Sequence, residues 1–233
     1  MVIVPAEVMG VAGDFILDTG SPRTQLAETQ AEGAGLTGPE LAGEVRVAGL
    51  ARRGQPVQVG DLDARTVFLT TPVAGVIGVD YLRDLVVDIR FSPCRVWIGQ
   101  SAAAPRFPRA MTAQMGWAGG LPVVQAAVGD GLRSWPAEFT PATGLDLSVR
   151  LDDRLATAQD APKPQELYPG GVGRSRLAAL VFMGDRYTEV DAGLMKGPLE
   201  TPWPAGWIGG PVLSRYRLRF DFPAGQFLAA RAR

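Results

Sequence analysis

Phe15-Ile16-Leu17-Asp18-Thr19-Gly20 runs three apolar residues into an acid, a small hydroxyl residue and a glycine. The apolar run predicts the end of a buried strand. The glycine permits a tight turn that a larger side chain resists. An acid at the end of a buried strand is costly unless it is hydrogen-bonded or paired. Asp18 is therefore either put to chemical use or left on a surface turn, and these six residues alone leave both open.

A second stretch, Gly75-Val76-Ile77-Gly78-Val79-Asp80-Tyr81-Leu82, leads into the apolar alternation Leu85, Val87, Ile89, Phe91. Both stretches recur. Phe139-Thr140-Pro141-Ala142-Thr143-Gly144 repeats the first, 124 positions on, and Gly206-Trp207-Ile208-Gly209-Gly210-Pro211-Val212-Leu213 repeats the second, 131 positions on. Arg90-Phe91-Ser92-Pro93 aligns with Asp221-Phe222-Pro223-Ala224 at the same 131. Self-similarity at a fixed offset is the mark of a repeated unit. An apolar-Asp-Thr-Gly strand followed by an apolar-apolar-Gly segment resembles the aspartic peptidases, in particular the single-lobe retropepsin type. Two such units in one chain resemble the two lobes of a pepsin-like protein. The resemblance implies an all-β fold with short helices: two similar lobes related by a pseudo-two-fold axis. Their expected bounds are 1–100 and 121–233, with a linker over 101–120.

The family chemistry needs two carboxylates sharing one proton, whose closeness forces their pKa values apart. The ionised one takes a proton from a bound water and the protonated one donates to the peptide carbonyl. The resemblance makes Asp18 the catalytic residue. It makes Thr19, Gly20, Thr143 and Gly144 supporting residues, with the threonines bracing the paired loops across the lobe junction. Ala142 stands where the second acid belongs, so the second motif keeps the bracing and lacks the chemistry. Without its partner Asp18 is expected to be a base without an acid. Thr140-Pro141 is also less apolar than Ile16-Leu17, a sign of broader divergence. Asp146, alternating with Leu145 and Leu147, is expected on an exposed strand face. Asp152 and Asp153 read as surface, and Asp80 as structural.

Composition closes other routes. The chain has no histidine, which removes Ser-His and Cys-His mechanisms in their usual forms and most zinc chemistry. Its single cysteine, Cys94, rules out an internal disulfide and a cysteine metal cluster, and lacks a histidine to activate it. No acid cluster has metal-ligand spacing, so neither a metal nor another cofactor is expected. A net charge of −1 gives no electrostatic footprint for nucleic acid or an anionic membrane. Only Lys163 and Lys196 are lysines among 23 basic residues. No apolar run approaches the roughly 20 residues of a membrane span. The chain opens on the strand-like Val2-Ile3-Val4 with no signal peptide in view. The reading leans to a periplasmic or secreted protein whose leader was removed before this numbering begins.

The elements that must position Asp18 follow from pattern. Residues 2–17, split by Gly10 and Gly13, predict a hairpin. Ala27 to Leu36 predicts a short helix ending near Gly33 or Gly35. The alternation from Glu44 to Leu69 predicts two or three strands. In the family a hairpin in this region covers the cleft as a flap; here its tip falls within Gly49 to Gly54 and carries Arg52 and Arg53. An ordinary exposed hairpin fits the same residues. Tyr168-Pro169-Gly170-Gly171-Val172-Gly173 is the second flap candidate. It lacks the strand before it and the Lys-Ser/Thr ending of a phosphate loop. Gly129-Asp130-Gly131 and Met183-Gly184-Asp185-Arg186 predict turns. Leu145 to Leu151 predicts a strand.

The function expected is peptide-bond hydrolysis by water activated at Asp18, weakened by Ala142, on a peptide or protein substrate. The alternative is a catalytically silent relative that binds extended peptides between the lobes. The chain is expected as a monomer. Pairing of two chains through their first lobes would restore two aspartates, but linked lobes have a high effective concentration for each other.

Overall fold

Two-residue turns with left-handed backbone set much of the architecture. Met9-Gly10, Ala48-Gly49, Gly119-Gly120 and Met183-Gly184 each place two successive residues at positive φ. This is the turn whose twist matches paired strands. In the computed structural model, residues 1–67, 69–129, 133–152, 174–195 and 203–232 are described. The second flap candidate at 168–173, Asp130, Asp153, Lys163 and Lys196 lie outside them.

The first part of the chain runs β1 (Ile3–Val8), β2 (Val11–Leu17), β3 (Gln25–Ala27), α1 (Glu28–Gly33), β4 (Glu40–Val47), β5 (Leu50–Gly60), α2 (Asp63–Thr66), β6 (Gly75–Ile77) and α3 (Val79–Leu82). Then come β7 (Val86–Phe91), β8 (Cys94–Gly99), β9 (Met111–Gln114) and β10 (Gly116–Ala118). The remainder is β11 (Leu121–Gly129), β12 (Ser134–Pro141), β13 (Val149–Asp152), β14 (Arg174–Phe182), β15 (Asp185–Met195), β16 (Gly206–Ile208), α4 (Gly210–Leu213), β17 (Tyr216–Asp221) and β18 (Gln226–Arg231).

The first six strands close into a barrel in the order β1-β2-β6-β3-β5-β4. The second sheet runs β10-β11-β12-β16-β13-β15-β14, and β14 also pairs with β11. That closes a second six-strand barrel with the same order as the first. The protein is therefore a bilobal all-β structure of the acid-protease type. Registers agree between lobes. Phe15 pairs with Gly75 and Leu17 with Ile77, in parallel, as Phe139 pairs with Gly206 and Pro141 with Ile208.

These parallel pairs explain the apolar runs. A strand covered on both faces reads as continuous hydrophobic sequence, and Phe15, Ile16, Leu17, Val76 and Ile77 are all fully buried. Each such side chain contributes about 1.5–3 kcal/mol by leaving water. The glycines opening β6 and β16 answer to space. A Cβ on Gly75 would lie 2.7 Å from the Phe15 ring, and one on Gly206 would lie 2.9 Å from the Phe139 ring.

The hairpin expected over residues 2–17 forms: it turns at Met9-Gly10, and Gly13 pairs with Ala6 inside β2. Two expectations need correction. The strand expected over 145–151 begins only at Val149. Leu145 to Ser148 is instead occupied by a loop, with Leu145 C=O accepting from Gly210 N–H and Ser148 C=O from Gly209 N–H. Asp152 is buried rather than on a surface turn, because the parallel pairing of β13 with β15 extends through it to Met195. Part of the 101–120 span is also structured: β9 pairs with β18, and β10 with β11.

A five-strand sheet, β8-β7-β17-β18-β9, ties the lobes together. At its centre Asp88 of β7 faces Arg219 of β17. The Asp88 carboxylate accepts from Arg217 Nε (2.9 Å) and Nη2 (2.8 Å), and from Arg219 Nη2 (2.6 Å). Phe107 lies under both guanidiniums, at 4.5 and 5.0 Å. Side-chain exposures of 7% for Asp88 and 10% for Arg219 make this a buried pair. The Arg176–Asp191 pair, by contrast, is 66% and 68% exposed and contributes under about 1 kcal/mol. Breaking a buried pair strands the remaining charges. Asp88→Ala is expected to lower unfolding free energy by about 3–5 kcal/mol in urea titration, whereas Asp191→Ala leaves the midpoint almost unchanged.

Candidate active site

Asp18 leaves the end of β2 into a loop fixed by backbone hydrogen bonds. Its N–H donates to Ile77 C=O (3.0 Å), and its C=O accepts from Ser21 N–H (3.2 Å). Val79 N–H donates to Ser21 C=O at 2.8 Å. The second loop repeats this wiring. Ala142 N–H donates to Ile208 C=O (2.8 Å), Leu145 N–H to Ala142 C=O (3.3 Å), and Gly210 N–H to Leu145 C=O (2.8 Å).

The two loops lock through their threonines. Thr19 Oγ1 donates to Pro141 C=O at 2.5 Å, and Thr143 Oγ1 donates to Leu17 C=O at 2.5 Å. Each hydroxyl also accepts from the other residue's backbone: Thr19 N–H to Thr143 Oγ1 at 3.1 Å, Thr143 N–H to Thr19 Oγ1 at 3.2 Å. Both threonines are buried, so these polar groups have no recourse to water.

The glycines that follow allow the loops to approach. A Cβ on Gly20 would lie 2.5 Å from the Ala142 methyl carbon, and one on Gly144 would lie 2.5 Å from Asp18 Oδ2. Their N–H groups converge on the same carboxylate oxygen. Asp18 Oδ1 accepts from Gly20 N–H (2.7 Å) and from Gly144 N–H (3.1 Å). Asp18, Thr19, Gly20, Ala142, Thr143 and Gly144 thus form one cluster at the lobe junction.

The other oxygen holds a residue that sequence reasoning missed. Arg65 of α2 donates from Nη2 to Asp18 Oδ2 at 2.5 Å. Its side chain is 32% exposed and that of Asp18 is 6% exposed, so the guanidinium reaches solvent while the carboxylate is buried. Arg150 of β13 also feels Asp18, together with Asp146 and Arg65, and burial pushes its guanidinium below the ordinary arginine range. Nothing local in Asp61-Leu62-Asp63-Ala64-Arg65 marks Arg65 as a site residue.

The remaining candidates lie elsewhere. The β4–β5 hairpin turns at Ala48-Gly49, and its tip docks on α3 rather than over Asp18. Tyr81 Oη donates to Leu50 C=O (3.0 Å), and Arg52 Nη1 donates to Asp80 C=O (3.1 Å). The Arg52 guanidinium also lies over the Tyr81 ring. Arg53 pairs with Glu44 on the surface. α2, not this hairpin, supplies the side chain over the carboxylate. Asp80 accepts from Thr24 Oγ1 (2.7 Å) and Tyr81 N–H (2.8 Å), a bracing position. Asp146 is exposed. Cys94 is an exposed free thiol at the start of β8.

Residues 4–87, from β1 into β7, match the family model of the aspartyl proteases. No curated protein matches the chain. The match supports an aspartic protease family and, with it, a peptidase-like function. Among the described residues no helix is long and apolar enough to cross a membrane.

The threonine lock makes a direct stability test. Thr143→Val keeps the shape but strands Thr19 N–H and Leu17 C=O in a buried site. The expected loss is about 2–4 kcal/mol in denaturant unfolding. Thr143→Ser, which keeps the hydroxyl, is expected to recover most of it.

Proposed function

We propose that this chain is a catalytically silent relative of the aspartic peptidases that holds an extended peptide segment between its lobes. The observation that carries this reading is at one carboxylate. Asp18 Oδ2 is occupied by Arg65 at 2.5 Å, while a methyl group, Ala142, takes the position of a second acid. A water-activating base needs a free acceptor and an acid partner; among the described residues Arg65 takes Oδ2 and no acid bonds to Asp18. In this reading the peptide lies between the two sheet-rich lobes as an added strand.

Hydrolysis by water activated at Asp18 is the second reading. It is favoured by the intact Asp18-Thr19-Gly20 loop and its buried carboxylate. One general base supplies about 10²–10⁴-fold, and losing a member of a coupled pair removes most of the remainder. Arg65 would have to leave Asp18 before this could operate.

Pairing of two first lobes is disfavoured by charge. In the lobe-joining sheet Asp88 lies opposite Arg219, which holds the matching position in the second copy. Two first lobes joined in the same way would set Asp88 against Asp88, and like charges directly opposite on a sheet are destabilising. The monomer therefore keeps the better junction.

The test is cleavage of a mixed peptide library from acidic to neutral pH. The unaltered chain is expected to retain peptides without cutting them. Ala142→Asp combined with Arg65→Gln is expected to gain cleavage, and adding Asp18→Asn to remove it. Cleavage by the unaltered chain that disappears in Asp18→Asn would replace this reading with the second. No gain in a folded double variant would show that the second loop has drifted beyond repair.

A further inference from the structure

The centre of the junction has exchanged an acid for a base. The family pattern sets two carboxylates face to face. Here one carboxylate, Asp18, is faced by the Arg65 guanidinium, with Arg150 within electrostatic reach of both. Asp18 has little left to offer a ligand. Oδ1 accepts two backbone N–H groups and Oδ2 accepts Arg65.

Arg65 is differently placed. A guanidinium carries five donors in a fixed fork, and Asp18 is its one hydrogen-bond partner among the described residues. The group is partly exposed and bonded to a buried carboxylate. Its seat is a four-residue helix on the connection between β5 and β6. Beside Asp18, Arg65 therefore presents a cationic fork with donors to spare. A fork of this kind pairs in two-point fashion with a carboxylate. Asp146 is the nearby acid that offsets Arg150; it is exposed and makes no ion pair with Arg65 among the described residues.

We propose that the junction recognises a peptide carboxylate through Arg65: an acidic side chain or a free C-terminus, docked where an ordinary aspartic peptidase would hold a scissile bond. The inference rests on the peptide-binding reading above. Asp18 then serves to position Arg65, and the ligand supplies the second carboxylate that Ala142 does not.

The experiment is fluorescence anisotropy with extended eight-residue peptides on the full chain. One set carries Glu at a single position, scanned along the peptide, and a matched set carries Gln. Both are made with free and with amidated C-termini. The best Glu peptide, or the free C-terminus over its amide, is expected to bind roughly ten- to hundred-fold more tightly, as hydrogen bonds to charged groups are worth. The two arms separate a side-chain carboxylate from a terminal one. The preference is expected to weaken as salt rises and to vanish in Arg65→Gln. Arg65→Lys, which keeps the charge but not the fork, is expected to recover part of it, with circular dichroism confirming that each variant folds. Peptides that bind the unaltered chain with no preference for a carboxylate would overturn this inference and leave the peptide-binding reading standing. A preference that survives Arg65→Gln would also overturn it. Failure of every peptide to bind would overturn both.

Discussion

The reciprocal hydrogen bonds of Thr19 and Thr143 are the constraint on which the molecule depends. Each hydroxyl donates to the opposite loop and accepts an N–H from it. The arrangement is fully buried, so each lost bond would leave an unsatisfied group with no water to replace its partner. It sets the distance between the loops. That distance in turn requires Gly20 and Gly144, because a side chain at either would collide with Ala142 or Asp18. The glycine N–H groups then fall on Asp18 Oδ1. The carboxylate geometry follows from the bracing.

The bracing does not depend on a second acid. With Ala142 at the position that matches Asp18, the second loop makes backbone hydrogen bonds that match those of the first. A lone buried carboxylate still needs compensation, and two backbone donors meet part of it. Arg65 meets the rest from outside the repeated motifs. Its position makes Asp18 one half of a paired acid and base. In the reading proposed above, the residues that brace this loop pair hold a site that receives a carboxylate.

The lobe-joining sheet shows a second departure from symmetry. Asp88 and Arg219 hold matching positions in the two copies, yet carry opposite charge and meet across β7 and β17. Arg217 and the Phe107 face complete the environment of the pair. A symmetric pair of lobes would have to place like charges there. Opposite charges meet there because the two lobes differ at this position.

The apolar strand ends, the two motifs and their recurrence were legible in the sequence because they are local. Phe15 to Gly20 and Gly75 to Leu82 report their own burial and turning, and a fixed offset reveals the second barrel. Ala142 at the position that matches Asp18 was equally plain. By itself the sequence determined two similar all-β lobes; the bracing threonines came from the family resemblance, and the hydrogen bonds of Thr19 and Thr143 fit that expectation. It misplaced the start of β13, since the alternation of Leu145 to Leu151 is compatible with a strand until the loop hydrogen bonds claim its first half. It left the β4–β5 hairpin open between a cover for the site and an ordinary hairpin, and Leu50 and Arg52 dock on α3. Only the tertiary structure decided what touches Asp18. Arg65 lies 47 residues away in a short helix whose local pattern matches any surface turn. Its role comes from barrel closure, which carries α2 over the end of β2, and no periodicity or motif encodes a contact made at that distance.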